Sequence, residues 1–348
     1  MEAKIADKSV SLDFQRRVQK LRGDMDVNVL CVGLVLCDVP LRFIPDNVMQ
    51  LDACYIENPA FSTGGDATNV ALTLCKLGAN VTLSGYIGKD ANGDFVYNRL
   101  KERGINTAGI LRHPELGTAV SYILIEDGGA RHFLIYGDLL DVLTDREVSD
   151  ELIAAASWVH FGSAMGMKGM DEGGAAALFR RAHKFGKMTS ADTSALDFTK
   201  DSKYWQELLG AMLHETDLFA PSYDEAVMIT GEKDLPKIRD MFSRYGLKYL
   251  AIKLGKDGCY VTDFSDEHIV PTFDSFKPVD TTGAGDSFVG SLIFGLLKGW
   301  PIETAAVFSN AVASFNVTKL GATGGVPDFD TVYEFVTKNC GGTGRFPL

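Results

Sequence analysis

The sequence predicts an α/β protein with a doubly wound, mainly parallel sheet and a small β-rich lid. Three observations favour this fold. Short, continuously apolar runs alternate along the chain with helical patterns, as in proteins with a parallel sheet. The alternation is interrupted at residues 39–61 and 106–137, where apolar and polar residues alternate instead. A glycine-rich segment at residues 283–285 leads directly into an apolar helix, as in many phosphate-binding proteins.

The first predicted element is a strand at residues 29–36. Its continuous apolar run is typical of a strand covered on both faces, and Asp38 and Pro40 mark its end. A helical pattern then ends at Gly78, a residue suited to the left-handed conformation that terminates helices. The elements predicted before the second interruption are a helix at 67–78, a strand at 81–87 and a helix at 93–103.

The two interruptions predict the lid. Within the second, residues 119–125 and 132–136 flank an Asp-Gly-Gly turn at 127–129, a pattern typical of a β-hairpin. Alternation then resumes with strands at 158–161, 187–192, 217–220 and 249–254 and helices at 174–185, 204–213 and 224–229. Two helical segments, after Gly283 and after Pro301, are expected to close the fold.

Composition and charge narrow the class of protein. With 348 residues, 46% of them hydrophobic, the chain is expected to form one large domain at residues 27–340, between a polar extension (1–26) and a tail (341–348). A formal net charge of -12 disfavours nucleic acid and membrane surfaces as partners. Residues 1–26 are too charged for a signal peptide and no apolar stretch could span a bilayer, so we expect a cytoplasmic protein.

The strongest chemical signal is the segment 280–288, Asp-Thr-Thr-Gly-Ala-Gly-Asp-Ser-Phe, which opens an apolar helix. Small residues at a helix start leave N–H groups that stabilise a phosphoryl group, and Asp286 could accept a proton from the hydroxyl that is phosphorylated. A tight turn followed by a first-turn acid would give the same pattern, and the segment alone fits both equally. A phosphatase-like aspartyl nucleophile would need a second carboxylate arrangement, which the sequence lacks.

The second signal is the paired-glycine loop of Gly64 and Gly65, which opens a helix. Two glycines allow a ligand close to the backbone and Asn69 can bind a hydroxyl, although a plain turn would look the same. Asp38 follows the first strand, where open α/β sheets bind ligands, so we expect a polyol-binding floor. Asp66 either faces this pocket or points into solvent as a helix cap, and the sequence leaves both open.

These two motifs resemble the signature motifs of the ribokinase-like, or PfkB, carbohydrate kinase family, in the same order and separation. Residues 221–231 resemble the family's magnesium and phosphate motif, 253–258 its nucleotide loop, and 309–327 its adenine and cation wall. The resemblance covers about residues 27–336. It implies a ribokinase-like fold and an ATP-dependent carbohydrate kinase.

The resemblance also implies a role for each matching position. Asp286 would be the base, and the amides of Gly283, Ala284 and Gly285 the anion hole. The substrate residues would be Asp38, Gly64, Gly65 and Asn69. The nucleotide residues would be Ser222, Glu225, Lys253, Gly255, Gly258 and Asn310, with Glu225 orienting magnesium-bound water. The monovalent cation, potassium, would lie among Asp280, Thr282, Asn316, Lys319, Gly321 and Gly325.

The implied reaction transfers the γ-phosphoryl group of ATP to a hydroxyl of an unphosphorylated sugar. Ser222 departs from the asparagine usual in the family, which puts the detail of the phosphate network in question. A nucleoside kinase on the same scaffold is the first alternative. A sugar-binding protein without catalysis is the second, and the intact Asp286 argues against it. Apolar lid strands often pair between subunits, so a homodimer is expected.

Overall fold

Within the residues that the computed structural model describes, 27–57, 59–126, 131–194 and 199–340, the chain forms a nine-stranded sheet and a four-stranded sheet. The strands are β1 (Asn28–Gly33), β2 (Leu36–Ile44), β3 (Ser62–Gly64), β4 (Asn80–Gly88), β5 (Asn106–His113), β6 (Ala119–Glu126), β7 (Arg131–Tyr136), β8 (Trp158–Ala164), β9 (Met188–Thr193), β10 (Leu218–Phe219), β11 (Tyr249–Lys253), β12 (Cys259–Thr262) and β13 (Glu267–Val270). The helices are α1 (Asp66–Lys76), α2 (Ala91–Glu102), α3 (Asp150–Ala155), α4 (Ala175–Lys184), α5 (Ser202–Leu213), α6 (Tyr223–Thr230), α7 (Leu235–Ser243), α8 (Ala284–Leu297), α9 (Ile302–Asn316) and α10 (Phe329–Cys340).

The large sheet is mainly parallel and doubly wound, which confirms the predicted fold class. Its strand order is β13-β12-β11-β10-β9-β8-β1-β4-β5, and only β12 and β13 run antiparallel to their neighbours. The chain winds outward from β1 in both directions, because β1 pairs in parallel with β4 on one side and with β8 on the other. Open α/β sheets bind ligands at the carboxyl ends of the strands at such a switch point.

The large sheet is covered on both faces, which explains the continuous apolar runs. Val29 and Cys31 of β1 pack into one hydrophobic cluster, with α1, α8 and α9. Leu30 and Val32 pack into the other, with α4 and α5. Successive strand residues point to opposite faces, so both sets must be apolar when both faces are buried.

The four-stranded sheet, here called the lid sheet, has the order β3-β2-β6-β7. It differs from the expected lid in one segment. Residues 106–113, expected in the lid, form β5 at the edge of the large sheet, paired in parallel with β4. An edge strand is partly exposed, and most residues of β5 are half-buried or exposed, so β5 lacks the continuous apolar run of the central strands. The expected turn at 127–129 lies outside the described residues.

Other elements match the predicted ones to within a few residues, with some additions. Asp38 and Pro40 lie inside β2, so the first apolar run of the sequence spans the end of β1 and the start of a lid strand. The hairpin of β12 and β13 and the helices α3, α7 and α10 were not predicted. The predicted extension (1–26) and tail (341–348) lie outside the described residues. None of the described helices is long and apolar enough to cross a membrane.

Helix α8 is largely buried. Its residues from Ser287 to Gly295 are buried, and it packs against both α1 and α9. Gly290 permits this packing, because a Cβ atom there would lie 3.1 Å from the carbonyl oxygen of Val70 in α1. The first turns of α1 and α8 therefore meet near the carboxyl ends of the central strands.

Candidate active site

The start of α8 is shaped by glycine. Gly283 precedes the helix in the left-handed conformation, with φ of 70°. A Cβ atom at this position would lie 2.0 Å from the carbonyl oxygen of Ala322, so no other residue fits without rearrangement. The amide of Ala284 donates to the carbonyl of Thr281 at 3.3 Å. The helix start presents the positive end of the α8 dipole, which favours an anionic group.

Asp286 lies in the first turn of α8. Its Oδ2 accepts a hydrogen bond of 2.8 Å from Nδ2 of Asn69, a buried residue of α1. Burial raises the pKa of Asp286 well above its usual value, and the charges of Asp66 and Asp192 raise it further, while Asn69 and Lys253 act in the opposite direction. A carboxylate with a raised pKa binds a proton more tightly, which suits a general base.

The paired glycines allow other residues of the protein to pack closely against their backbone. A Cβ atom at Gly64 would lie 2.1 Å from Oδ2 of Asp38, and one at Gly65 would lie 2.3 Å from the carbonyl oxygen of Leu34. Asp38 is thereby packed against the loop that opens α1. Burial, with a contribution from the charge of Asp66, raises the pKa of Asp38 to about 7. Oδ1 of Asn69, in the first turn of α1, is buried and has no hydrogen-bond partner among the residues that the structure describes.

Asp66 lies inside the protein and does not cap α1 from solvent. Its Oδ2 is buried and, within the described part of the chain, has no hydrogen-bond partner, and the residue that precedes α1 is Gly65. Burial raises the pKa of Asp66, and the neighbouring hydroxyls of Ser163 and Ser194 partly offset this effect without satisfying Oδ2. Ser163 lies near the carboxyl end of β8, and Ser194 directly follows β9. The start of α1 therefore reaches the carboxyl ends of both strands.

A buried ion pair lies beside the start of α8. Nζ of Lys253, the last residue of β11, lies 2.5 Å from Oδ1 of Asp192 in β9. Burial and the charge of Glu225 raise the pKa of Asp192, against the effect of Lys253, to about 6. Although burial lowers the pKa of Lys253, the charges of Asp192, Glu225 and Asp286 raise it above its usual value. Lys253 is therefore an ammonium group among several carboxyl groups.

Ser222 and Glu225 form a capping box at the start of α6. Oε2 of Glu225 accepts hydrogen bonds from the amide of Ser222 at 2.9 Å and from its hydroxyl at 2.5 Å. The hydroxyl of Thr193, at the end of β9, donates to the same oxygen at 2.6 Å. The serine thus orients the glutamate. Despite burial, Lys253 and these hydrogen bonds hold the pKa of Glu225 below its usual value.

The expected nucleotide loop is a tight turn between β11 and β12. Gly255 and Gly258 both have positive φ, and a Cβ atom at Gly258 would lie 2.0 Å from the carbonyl oxygen of Val270. The side chain of Asn310 in α9 is buried and donates to the carbonyl groups of Val270 at 2.9 Å and Pro271 at 3.1 Å. In this arrangement Asn310 fixes the end of β13 to α9.

The expected cation residues, apart from Lys319, come together beside the backbone that leads into α8. Asp280 accepts the amide of Thr282 at 2.9 Å through Oδ1 and the amide of Gly321 at 2.9 Å through Oδ2. Asn316 donates to the carbonyl of Ala322 at 2.7 Å and accepts the amide of Gly325 at 3.2 Å. Since the carbonyl of Ala322 also packs against Gly283, these bonds support the start of α8 directly.

Lys319 is the exception in this set. The residue is exposed, and its contribution to the cluster is a backbone hydrogen bond of 3.3 Å from its amide to the carbonyl of Asn316.

The partnership of Asp192 with Lys253, which sequence reasoning missed, joins the ends of β9 and β11. The signal that could have found it is a charged residue at the end of each apolar strand.

The chain is similar to known proteins over most of its length. Residues 27–328 match the family model described as pfkB family carbohydrate kinase. Fructokinase-2 of Oryza sativa subsp. japonica is 31% identical over 328 residues, covering 89% of this chain and 94% of that protein. ATP-dependent ribose-1-phosphate kinase of Halopiger xanaduensis is 30% identical over 314 residues, covering 90% and 99%.

Solved structures share the fold. The structure of Arabidopsis thaliana ribokinase complexed with ribose and ATP matches with a TM-score of 0.76 and 20% identity, over 90% of this chain and 99% of that one. At this identity the likeness concerns the arrangement of helices and strands, which agrees with the two-sheet architecture described above.

Proposed function

Since this chain belongs to the pfkB family of carbohydrate kinases, we propose that it transfers the γ-phosphoryl group of ATP to a hydroxyl group of an unphosphorylated sugar. The observation that carries the proposal is the placement of Asp286. Its carboxyl group lies in the first turn of α8, beside the helix start that favours a phosphoryl group, and Asn69 orients it. A base next to an anion hole is the arrangement that phosphoryl transfer to a hydroxyl requires.

In the proposed reaction, Asp286 takes the proton of the sugar hydroxyl. The hydroxyl oxygen forms a bond to the γ-phosphorus, the bond from that phosphorus to the bridging oxygen breaks, and ADP leaves. The start of α8 stabilises the negative charge on the phosphoryl oxygens during transfer. The raised pKa of Asp286 supports this role, because it increases the affinity of the carboxylate for the proton.

Magnesium fits the carboxylates beside the phosphate position. Among the described residues there is no group of three or more His, Cys, Asp or Glu side chains that could hold a metal alone. Mg²⁺ is commonly bound through one or two carboxylates together with the phosphates of ATP. Glu225, whose pKa is lowered, is the carboxylate that would hold its waters. The ion would neutralise charge on the phosphates.

Potassium is proposed as a second ion, behind the anion hole. Support comes from the cluster of Asp280, Thr282 and Asn316. Asp280 accepts hydrogen bonds from the amide and the hydroxyl of Thr282, and Nδ2 of Asn316 donates to the Thr282 carbonyl, so carboxylate, hydroxyl and carbonyl oxygens lie beside the backbone that leads into α8. Carbonyl and carboxylate oxygens are the ligands that hard cations prefer. An ion held there would stabilise the position of Gly283 and hence the geometry of the anion hole.

The sugar would lie against Asp38, Gly64 and Asn69. The carboxyl groups of Asp38 and Asp66 support an unphosphorylated substrate. Burial raises the pKa of both, which marks a site where a phosphate dianion would be desolvated at a high cost. A nucleoside kinase is not favoured, since the relatives named above act on fructose and ribose 1-phosphate. The intact pair of Asn69 and Asp286 argues against a sugar-binding protein without catalysis.

A homodimer through the lid sheet is also proposed. Large apolar side chains on this sheet are exposed, namely Phe43, Tyr122, Phe133, Leu134, Ile135 and Tyr136. An exposed apolar sheet face of this kind often marks an interface between proteins.

The experiment that tests the function is a measurement of ADP formation by the purified protein with MgATP and a panel of sugars and nucleosides. We expect a neutral sugar to stimulate ADP formation and a stoichiometric sugar phosphate to appear. If a nucleoside is the best substrate, the alternative kinase replaces the proposal. If no sugar or nucleoside stimulates ADP formation while ligands still raise the melting temperature, the protein binds without catalysis.

A further inference from the structure

We propose that Lys253 is a catalytic residue whose ammonium group contacts the phosphoryl group while it is transferred. The inference rests on the proposed kinase function and adds a residue to its machinery. It assigns Lys253 to the transferred phosphoryl group at the start of α8, and not to the nucleotide loop that follows it in the sequence.

The position of Lys253 carries the inference. A Cβ atom added to Gly285, in the first turn of α8, would lie 3.4 Å from Nζ of Lys253 and 3.5 Å from its Cδ. The lysine stem therefore runs along the bare backbone of Gly285 and ends at the helix start. Lys253 reaches this place because β11 ends there, and its amide is fixed by a 2.9 Å hydrogen bond to the carbonyl of Pro221.

The charges around Lys253 indicate what the ammonium does. Its charge acts on Asp66, Asp192, Glu225 and Asp286, lowering the pKa of each against the effect of burial. The phosphates of ATP would bring further negative charge to this acidic site. During transfer, negative charge is spread over the oxygens of the phosphoryl group. A fixed ammonium at this point therefore stabilises the transition state.

The side chains of Lys253 and Asp192 differ in their exposure to solvent. The side chain of Asp192 is 1% exposed, whereas that of Lys253 is 15% exposed. Of the two side chains, that of Lys253 is therefore the one with surface that a ligand could contact, while Asp192 holds its ammonium. An ammonium has three donors, so it can keep its bond to Asp192 and give another to a phosphoryl oxygen without losing a proton.

The chain offers a matched control for a purely structural role. Nζ of Lys248, just before β11, lies 2.8 Å from Oδ1 of Asp217, whose side chain is 8% exposed. This pair also joins a lysine to a buried aspartate, but at the opposite end of the same strand. Lys248→Met therefore removes an ion pair between a more exposed lysine and a buried aspartate, away from the start of α8.

The experiment compares Lys253→Met and Lys248→Met with the wild-type protein. For each we would measure the melting temperature, kcat and KM with the best sugar, and the affinities for ADP alone and for ADP with aluminium fluoride and the sugar. ADP with aluminium fluoride imitates the phosphoryl group in transfer, whereas ADP alone does not. The ratio of the two affinities isolates contacts made only during transfer.

We expect Lys253→Met to lower kcat by at least about 100-fold, the usual scale for losing one group that stabilises the transition state. The affinity for the aluminium fluoride complex should fall by a similar factor, and that for ADP much less. Lys248→Met should change the melting temperature but leave both kcat and the affinity ratio within about threefold of wild type, because its ion pair lies away from the transferred group.

If Lys253→Met fails to fold, Lys253→Arg provides the test. Arginine preserves the charge beside Asp192, but its planar group on a longer stem cannot occupy the same point. We expect this variant to fold and to lose about tenfold or more in affinity for the aluminium fluoride complex, with ADP binding near normal. An affinity ratio within about threefold of wild type in either folded variant overturns the inference and leaves the kinase function intact. If the wild-type protein phosphorylates no sugar, the proposed function fails, and this inference fails with it.

Discussion

The amide nitrogen of Asn69 donates a 2.8 Å hydrogen bond to Oδ2 of Asp286, across 217 positions of sequence. The bond joins the first turns of α1 and α8, which packing brings together. It fixes the direction in which the proposed base points, and it uses the amide group that the sequence suggested for a sugar hydroxyl. The side-chain oxygen Oδ1 of Asn69 is left buried, with no hydrogen-bond partner among the described residues. The two glycine-rich loops are thus one structural unit.

The first prediction concerns the base. Asp286→Asn should lower kcat by at least about 100-fold, because a positioned base contributes about that much and an amide cannot accept the proton. Folding and sugar binding should be nearly unchanged, since asparagine has the same shape and carries no charge to bury. Steady-state kinetics and thermal unfolding check this. Glu151→Gln, an exposed first-turn carboxylate in α3, serves as the control, and near-normal turnover of Asp286→Asn would refute the mechanism.

The second prediction concerns pH. The base must be ionised to act, and its raised pKa means that activity is lost as the pH falls through that pKa. The hydrogen bond from Asn69 lowers this pKa, because it stabilises the ionised carboxylate. Asn69→Leu should therefore move the acidic limb of the kcat/KM profile to higher pH and impair activity most at low pH.

Full pH profiles of wild type and Asn69→Leu, measured with the same sugar, check this expectation. A uniform loss of activity at every pH would mean that Asn69 contributes through sugar binding alone. A shift of the limb to lower pH would contradict the proposed hydrogen-bond effect.

The third prediction concerns the anion hole. Gly283→Ala places a methyl group 2.0 Å from the carbonyl oxygen of Ala322, so the helix start must shift and kcat should fall by about tenfold or more. Gly246→Ala is a matched control, because Gly246 has a similar φ of 78° but a Cβ atom there would meet nothing within 4 Å. It should cost about 1 kcal/mol of stability from backbone strain alone and leave kcat unchanged. Equal kinetics for the two variants would show that the close approach has no catalytic importance.

The parts of the site that depend on short segments could be predicted from the sequence. The left-handed glycine before α8, the first-turn position of Asp286 and the loop before α1 follow from local pattern, because glycine and first-turn acids have few conformations in such contexts. The fold class could also be predicted from local pattern. Continuous apolar runs arise wherever a strand is covered on both faces.

The parts of the site that depend on contacts between distant segments could not be predicted from the sequence. The orientation of Asp66 depends on how the loop before α1 meets β8 and β9, so its burial is invisible in the sequence. The pairing of Asp192 with Lys253 depends on the order of β9, β10 and β11 in the sheet. Strand β5 was expected in the lid because a half-exposed edge strand lacks the continuous apolar run that marks the central strands.

The fourth prediction concerns potassium. Activity should be higher in potassium than in sodium or in a buffer with only a bulky organic cation, because an ion among Asp280, Thr282 and Asn316 would fix the backbone before α8. Asp280→Ala should reduce this dependence, since it removes the carboxylate that joins the amides of Thr282 and Gly321. Initial rates at equal ionic strength check both statements. Equal rates in all three buffers would argue against a potassium site.

The last prediction concerns the charge of the substrate. Asp38 and Asp66 lie at the expected sugar floor, where burial raises the pKa of both carboxyl groups and so disfavours negative charge. A sugar phosphate would need positive partners for its dianion there, because an unpaired phosphate is costly to desolvate. We therefore expect kcat/KM for fructose, ribose or adenosine to exceed that for fructose 6-phosphate, tagatose 6-phosphate and ribose 1-phosphate by about tenfold or more.

Ribose 1-phosphate belongs in this panel because a relative of 30% identity is named as its kinase. All substrates would be compared at the same concentrations of magnesium and potassium, so that only the acceptor varies. A tenfold difference in kcat/KM corresponds to about 1.4 kcal/mol of transition-state preference. If a sugar phosphate is the best substrate by that margin, the carboxyl groups of Asp38 and Asp66 do not govern the charge of the acceptor. Positive groups from the lid must then outweigh them.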